Sequence, residues 1–195
     1  MSTLHFENVR RRFGRLSVLQ GVSGTVEPGG LLLVTGPNGS GKSTLLRCLS
    51  GLLAPDGGTI EYSEDGTSLD AAGRRRRAGV VAPDLAFYGE LTVGENLELF
   101  ARLRRTPPNR GLAVLDRLAS ALSSGMRQRL RWGWALLHQP RLLLLDEPFQ
   151  NFDAPGERIA RELLAEHLAA GGSAVVANPS TLEFGDVAGY LDLGR

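Results

Sequence analysis

A glycine-rich segment that follows an apolar run and precedes a helical pattern constrains this chain more than any other feature. The apolar run is Leu31–Thr35, and beyond the glycines apolar residues recur with helical spacing over residues 42–52. Glycines let backbone N–H groups converge on an anion, and the N-terminus of the helix adds partial positive charge. Strand, loop and helix in this order predict a phosphate-binding loop. Its nine consecutive residues are Gly36, Pro37, Asn38, Gly39, Ser40, Gly41, Lys42, Ser43 and Thr44.

Lys42 is the only lysine in the chain, although lysine and arginine together number 22. A lysine ammonium is a compact charge that can enter between two phosphate groups, whereas a guanidinium is wide and planar. We therefore expect Lys42 to bind the β- and γ-phosphates of a nucleotide. We expect the hydroxyl of the next residue, Ser43, to ligate the accompanying Mg²⁺.

Apolar patterning predicts the fold class. Three segments lack polar alternation, as parallel strands covered on both faces do: residues 78–82, residues 142–145 and Ser173–Ala177. Three others alternate between apolar and polar residues, as antiparallel strands do: residues 4–9, 19–26 and 59–62. Amphipathic stretches at residues 95–105, 112–122 and 124–138 predict helices, and residues 153–171 predict one more. We expect one domain over residues 1–195 with an α/β, RecA-like P-loop NTPase fold. Its mostly parallel sheet core would carry an antiparallel β-subdomain and an α-helical insertion at about residues 84–134.

A second apolar run ends in two adjacent carboxylates. Residues 142–145 are all leucine, and Asp146, Glu147 and Pro148 follow them. Ligands collect at the carboxyl ends of the strands in open α/β sheets. We expect Asp146 to hold the magnesium shell, and Glu147 to orient and deprotonate the attacking water.

A short segment after the predicted insertion points to a family. It reads Leu-Ser-Ser-Gly-Met at residues 122–126. Together with the phosphate loop and the Leu-Leu-Leu-Leu-Asp-Glu-Pro run, it closely resembles the nucleotide-binding domains of ABC ATPases, over essentially the whole chain and in the same order. The family's signature is Leu-Ser-Gly-Gly-Gln. The resemblance implies that Ser123, Ser124 and Gly125 face the γ-phosphate of ATP bound by a second ATPase subunit, identical or different.

Two further residues gain a role from the resemblance, and each has a plainer alternative. Phe13 matches the aromatic residue that stacks on adenine, although an isolated phenylalanine is more often part of a core. Asp153 matches an aspartate that crosses to the partner domain, although its place before Pro155 also suits a simple helix cap.

The chain departs from the family pattern at two positions. Pro83 stands where the family carries a glutamine, and a proline side chain offers no ligand. Asn178 stands where the family carries a histidine, and its amide can donate a hydrogen bond to a phosphate oxygen but has no charged form. We expect Asn178 to take the catalytic position beside the γ-phosphate. Both departures bear on the rate of hydrolysis rather than on nucleotide binding.

The resemblance implies an ATP-binding and ATP-hydrolysing subunit of an ABC-type membrane transporter, which dimerises on ATP and drives a separate integral membrane permease. Such a subunit is cytoplasmic and peripheral on the inner face of the membrane. Two other functions stay open. One is a catalytically weak regulatory nucleotide-binding subunit, and the other is a soluble ABC ATPase without a transport role.

Composition bears on partners and packing. A formal net charge of +1 gives no general attraction for nucleic acid, and we expect no nucleic acid partner. The arginine clusters at residues 10–12 and 74–77 are expected in solvated loops or strand edges. Trp132 and Trp134 are expected to pack within the helical insertion.

Overall fold

The structure, a computed structural model, describes residues 2–106, 116–179 and 187–194. In these ranges the strands are β1 (Ser2–Phe13), β2 (Leu16–Val26), β3 (Leu31–Thr35), β4 (Gly57–Glu64), β5 (Thr67–Leu69), β6 (Gly79–Val81), β7 (Leu142–Asp146), β8 (Ser173–Ala177) and β9 (Gly189–Asp192). The α-helices are α1 (Lys42–Leu49), α2 (Ala71–Arg77), α3 (Val93–Arg104), α4 (Ser124–Leu136) and α5 (Ala154–Ala169), with a single 3₁₀ turn at Ala119–Ala121.

The strands form two sheets. One has four antiparallel strands in the order β2-β1-β4-β5, and the other has five strands in the order β6-β7-β8-β3-β9 whose pairings are all parallel. Since parallel strands end at the same edge, the segments after β3, β7 and β8 all emerge together. This arrangement confirms the expected fold class.

The unbroken apolar pattern of β7 follows from its burial between two layers. Leu142 and Leu144 pack toward α1 and the antiparallel sheet, in a cluster that includes Leu45 and Phe6. Leu143 and Leu145 point to the other face and pack with residues of α4 and α5. Because successive side chains of a strand alternate between faces, each layer needs its own apolar set.

Helix α3 begins at a well-defined cap. The Thr92 hydroxyl accepts from the Glu95 N–H at 3.1 Å while the Glu95 carboxylate accepts from the Thr92 N–H at 2.7 Å, which is a capping box. The buried Asn96 side chain accepts from the Tyr88 N–H at 2.9 Å and donates to the Tyr88 carbonyl at 3.0 Å, so it orders the preceding loop. Helices α3 and α4 meet through the rings of Phe100 and Trp134, whose centroids lie 3.8 Å apart.

The arginine cluster at residues 74–77 was predicted to lie in a solvated loop or strand edge, and Arg75, Arg76 and Arg77 are exposed as expected, whereas Arg74 is not. Residues 74–77 belong to α2, which Asp70 caps by accepting from the Gly73 N–H at 2.7 Å. Arg74 is buried, and its guanidinium donates to the backbone carbonyls of Leu49 at 3.1 Å and Ile60 at 3.2 Å. A buried arginine is tolerated here because main-chain acceptors surround it.

Two other predictions also need correction. Trp132 does not pack within the helical insertion, because it is buried against the parallel-sheet core with Leu143 and Phe149. Trp134 packs on Phe100 as expected. The helix expected over residues 112–122 falls partly outside the described residues, and its described end contains only the 3₁₀ turn Ala119–Ala121.

Several local predictions are confirmed. Strands β3 and β8 have the predicted bounds, and the segments predicted as antiparallel strands at residues 4–9 and 19–26 lie in β1 and β2, which pair antiparallel. Strands β5 and β9 and helix α2 were not predicted. Within the described ranges, no helix combines the length and the apolar character needed to cross a membrane.

Candidate functional site

The phosphate loop joins β3 to α1 with glycines at positions that need a left-handed backbone. Gly36 has φ of 140° and Gly41 has φ of 103°. A Cβ at Gly36 would lie 2.7 Å from the Ser40 hydroxyl oxygen, so a side chain there would be obstructed as well as strained. The sequence therefore specifies a tight loop that closes over its own backbone.

Lys42 lies at the first position of α1 and is turned back under the loop. Its Nζ donates to the carbonyl of Gly36 at 2.6 Å and to that of Pro37 at 3.0 Å, and the residue is only 6% exposed. The Ser40 hydroxyl is also buried, and it has no hydrogen-bond partner among the described residues. Buried polar groups are nearly always paired, so this loop is suited to receive an anion.

The carboxylates of Asp146 and Glu147, at the end of β7, lie in different environments. Asp146 is buried, and the Ser43 hydroxyl lies near its carboxylate. Burial raises the pKa of Asp146 and the neighbouring Glu147 raises it further, whereas the Ser43 hydrogen bond and the Lys42 charge lower it. Glu147 has a left-handed backbone with φ of 46°, and its N–H donates to the Ala177 carbonyl at 2.9 Å.

A cleft of about 440 Å³ is lined by six of the nine predicted loop residues together with Phe13 and Glu147. The other three loop residues, Gly36, Pro37 and Ser40, do not line it. Phe13 is 47% exposed, so the alternative that it belongs to the core is wrong. The Arg11 guanidinium lies 4.9 Å from the centroid of the Phe13 ring. The full lining is Phe13, Val18, Asn38, Gly39, Gly41, Lys42, Ser43, Thr44 and Glu147.

Asn178 follows β8 at the edge where β7 delivers its carboxylates. Its N–H donates to the Val34 carbonyl at 3.0 Å and the residue is buried. Ala177, which precedes it, pairs with Asp146 across the sheet. Asn178 therefore lies at the expected edge of the sheet, although it does not line the cleft.

The signature segment begins α4 and does not line this cleft. Ser123 caps the helix, with its hydroxyl accepting from the Met126 N–H at 3.2 Å, and Ser124 and Gly125 form the first turn. A Cβ at Gly125 would lie 2.9 Å from the Asn151 carbonyl oxygen. The small residues of the signature thus permit close packing on the segment that leads to α5.

Asp153 acts as a helix cap in this structure. Its carboxylate accepts from the Gly156 N–H at 3.0 Å and pairs with Arg129 at 2.8 Å. The Gly156 hydrogen bond, with the help of Arg129, lowers the pKa of Asp153. The plainer of the two alternatives is observed, and a role across a subunit boundary stays a prediction.

Sequence reasoning missed the polar contacts that tie α4 to the segment after β7. Gln128 donates through Nε2 to the Pro148 carbonyl at 2.8 Å, and Trp132 donates through Nε1 to the same oxygen at 2.9 Å. The two residues are four apart and so share one face of the helix. A glutamine on the buried face of an amphipathic helix was the signal that could have revealed this link.

Comparisons with known proteins agree with this geometry. The sequence pattern of the ABC transporter family matches residues 19–150. An Fe(3+) ions import ATP-binding protein of Rhodococcus jostii is 34% identical, over 98% of this chain and 60% of the relative. A sulfate/thiosulfate import ATP-binding protein of Cucumis sativus is 37% identical, over 83% of this chain and 50% of the relative.

A solved structure of an ATP binding subunit of an ABC transporter superposes with a TM-score of 0.77 at 29% identity, over 90% of this chain and 79% of that chain. The chain spans about half to 60% of the length of the two curated relatives described above. A family match over most of the chain, relatives above 30% identity and the same fold lead to one conclusion: this chain belongs to the ABC transporter family.

Proposed function

We propose that this chain binds ATP and hydrolyses it as the ATPase subunit of an ABC-type membrane transporter. The observation that carries the proposal is the cleft that joins Phe13, the phosphate loop and Glu147 at the carboxyl edge of the parallel sheet. Lys42 exchanges its two backbone carbonyls for the β- and γ-phosphates, and adenine stacks on the exposed ring of Phe13.

Ser43 and Asp146 fit a magnesium site. The Ser43 hydroxyl lies near the Asp146 carboxylate, and Mg²⁺ prefers such oxygen ligands completed by water and substrate phosphates. When bound, Mg²⁺ neutralises charge on the phosphate oxygens. Glu147 then orients and deprotonates the attacking water, and Asn178 positions the γ-phosphate through a neutral hydrogen bond.

The proposal includes a second ATPase subunit and a membrane permease. Ser123, Ser124 and Gly125 would face ATP held by the second subunit, with Asp153 near the boundary between the two chains. Residues 84–134 would act as a helical subdomain that passes the motion to an integral membrane permease, which keeps the chain on the inner face of the membrane. Support comes from the relatives, whose names describe import ATP-binding proteins.

A catalytically weak regulatory subunit is the second candidate. Pro83 provides no side-chain ligand in the loop after β6, and Asn178 provides no charge, so both departures favour slow hydrolysis. Measuring steady-state ATP turnover by the purified chain decides between the two functions. The ATPase proposal predicts turnover that depends on Mg²⁺ and stops when EDTA is added, whereas ATP binding without turnover would support the regulatory role.

The transport role has its own test. Affinity purification of this chain from detergent-solubilised membranes should retain a multi-span membrane protein, and a variant that deletes residues 84–92 should release it. Purification of an active ATPase that retains only soluble proteins would contradict the transport role while leaving the enzymatic role in place.

A further inference from the structure

The loop after β6 is held from two sides, although Pro83 contributes no side-chain ligand. The Arg131 guanidinium on α4 donates through Nη2 to the Pro83 carbonyl at 2.6 Å and through Nε to the Leu85 carbonyl at 3.5 Å. The intervening Asp84 carboxylate pairs at 2.6 Å with Arg47, which lies on α1 directly after the phosphate loop. The loop therefore connects the helix of the phosphate loop to the signature helix.

The same guanidinium has a second attachment. Arg131 donates through Nη1 to Oε1 of Gln128 at 3.0 Å, and Nε2 of Gln128 donates to the Pro148 carbonyl at 2.8 Å and the Glu147 carbonyl at 3.4 Å. An arginine can only donate and a carbonyl can only accept, so the chemistry at both ends fixes the orientation of the Gln128 amide. Gln128 is 3% exposed, so water cannot easily replace these contacts.

We propose that Arg131 is a positioning residue for ATP hydrolysis, which ties the Pro83 loop through the Gln128 amide to the backbone of Glu147 and Pro148. The proposal rests on the proposed function, because it concerns how the carboxylate of Glu147 is aimed. It also explains how a proline is accommodated in this loop: the backbone carbonyl of Pro83, rather than a side chain, makes the connection.

The backbone of Glu147 is the reason why such a tie matters. A left-handed conformation is unfavourable for a residue with a side chain and persists only where its surroundings enforce it. Here the Glu147 N–H donates to Ala177, and the Glu147 carbonyl accepts from the Gln150 N–H and from Gln128. The Pro148 carbonyl accepts from Gln128 and from Trp132. When the Arg131 guanidinium is removed, the Gln128 amide loses the donor that orients it. The backbone of Glu147 is then less firmly held in its left-handed conformation.

The test separates positioning from binding and from folding. Arg131→Met should lower the single-turnover rate of ATP hydrolysis about tenfold, while the Kd for ATP changes less than about twofold, since neither Arg131 nor Gln128 lines the cleft. Arg131→Lys keeps the positive charge but lacks the planar fork, so it should stay slow. Arg158→Met, which removes an exposed arginine on α5, is the matched control and should hydrolyse ATP at the wild-type rate.

A double-mutant cycle tests whether Arg131 and Gln128 act on the single-turnover rate together or independently. Gln128→Met should slow the single turnover to a similar extent, and combining it with Arg131→Met should slow it no further, because both changes break one chain of contacts. Additive losses, a wild-type rate in Arg131→Met, or full recovery in Arg131→Lys would overturn the inference. Wild-type protein that neither binds nor hydrolyses ATP would instead remove the proposed function.

Discussion

Glu147 unites a strained backbone with the position proposed for the catalytic base. Its φ of 46° turns the chain sharply after the buried strand β7, so that adjacent carboxylates point to different surroundings. Asp146 stays buried against Ser43, while Glu147 reaches the cleft beside Lys42. Local strain thus separates the residue that would hold Mg²⁺ from the residue that would act on water.

Asn178 offers the clearest prediction at the scale of a single residue. Asn178→His should raise the single-turnover rate of hydrolysis by about 10- to 100-fold, because the charge-assisted hydrogen bond that a histidine can make is worth roughly 1.5–3 kcal/mol in the transition state. The Kd for ATP should change little. A histidine variant with an equal or lower rate would show either that asparagine already supports full hydrolysis at position 178 or that this position does not reach the phosphate.

At the scale of elements, α2 depends on one buried arginine. Arg74→Met should destabilise the protein by about 1–3 kcal/mol, because the backbone carbonyls of Leu49, Ile60 and Leu69 lose their donor. Urea unfolding followed by circular dichroism measures this loss. Arg76→Met removes an exposed side chain from the same helix and should be nearly neutral, and equal destabilisation by both changes would contradict the role of Arg74.

The elements that could be predicted are those whose own sequence determines them. The unbroken apolar runs of β3, β7 and β8 indicated buried parallel strands. The glycines before Lys42 indicated a tight loop between a strand and a helix. Helix α2 could not be predicted, because four consecutive arginines are typical of a solvated segment. The carbonyls that accept from the buried Arg74 belong to α1 and β4, which are distant in sequence. The link from Gln128 to Pro148 was missed for the same reason, since it joins residues that are 20 apart in sequence.

At the scale of the whole molecule, the parallel sheet brings the candidate site to one edge. The phosphate loop, the two carboxylates and Asn178 all follow strands that end there, although they come from widely separated parts of the chain. The signature segment begins α4 outside this cleft, so it would not contact a nucleotide bound in the cleft of the same chain. A second subunit would give it one, as the proposal requires.

Glu147→Gln tests this arrangement. The variant should keep the Kd for ATP but lose hydrolysis, because the amide cannot accept a proton from water, and a closed dimer should accumulate with ATP. Size-exclusion chromatography with and without ATP reports the change. A variant that binds ATP and stays monomeric at high concentration would contradict a homodimer and point to a different ATPase chain as the partner.

The affinity for ATP of Lys42→Ala, measured by calorimetry at fixed Mg²⁺, tests the central claim most directly. In this structure the Lys42 ammonium donates to the Gly36 and Pro37 carbonyls. Removing it eliminates the charge-assisted hydrogen bonds that it would make to the phosphates of ATP, which are worth roughly 1.5–3 kcal/mol each. The Kd should therefore rise by at least about tenfold, while Arg102→Ala, an exposed change on α3, should bind as the wild type does. Equal Kd values for Lys42→Ala and the wild type would show that ATP does not bind in this cleft.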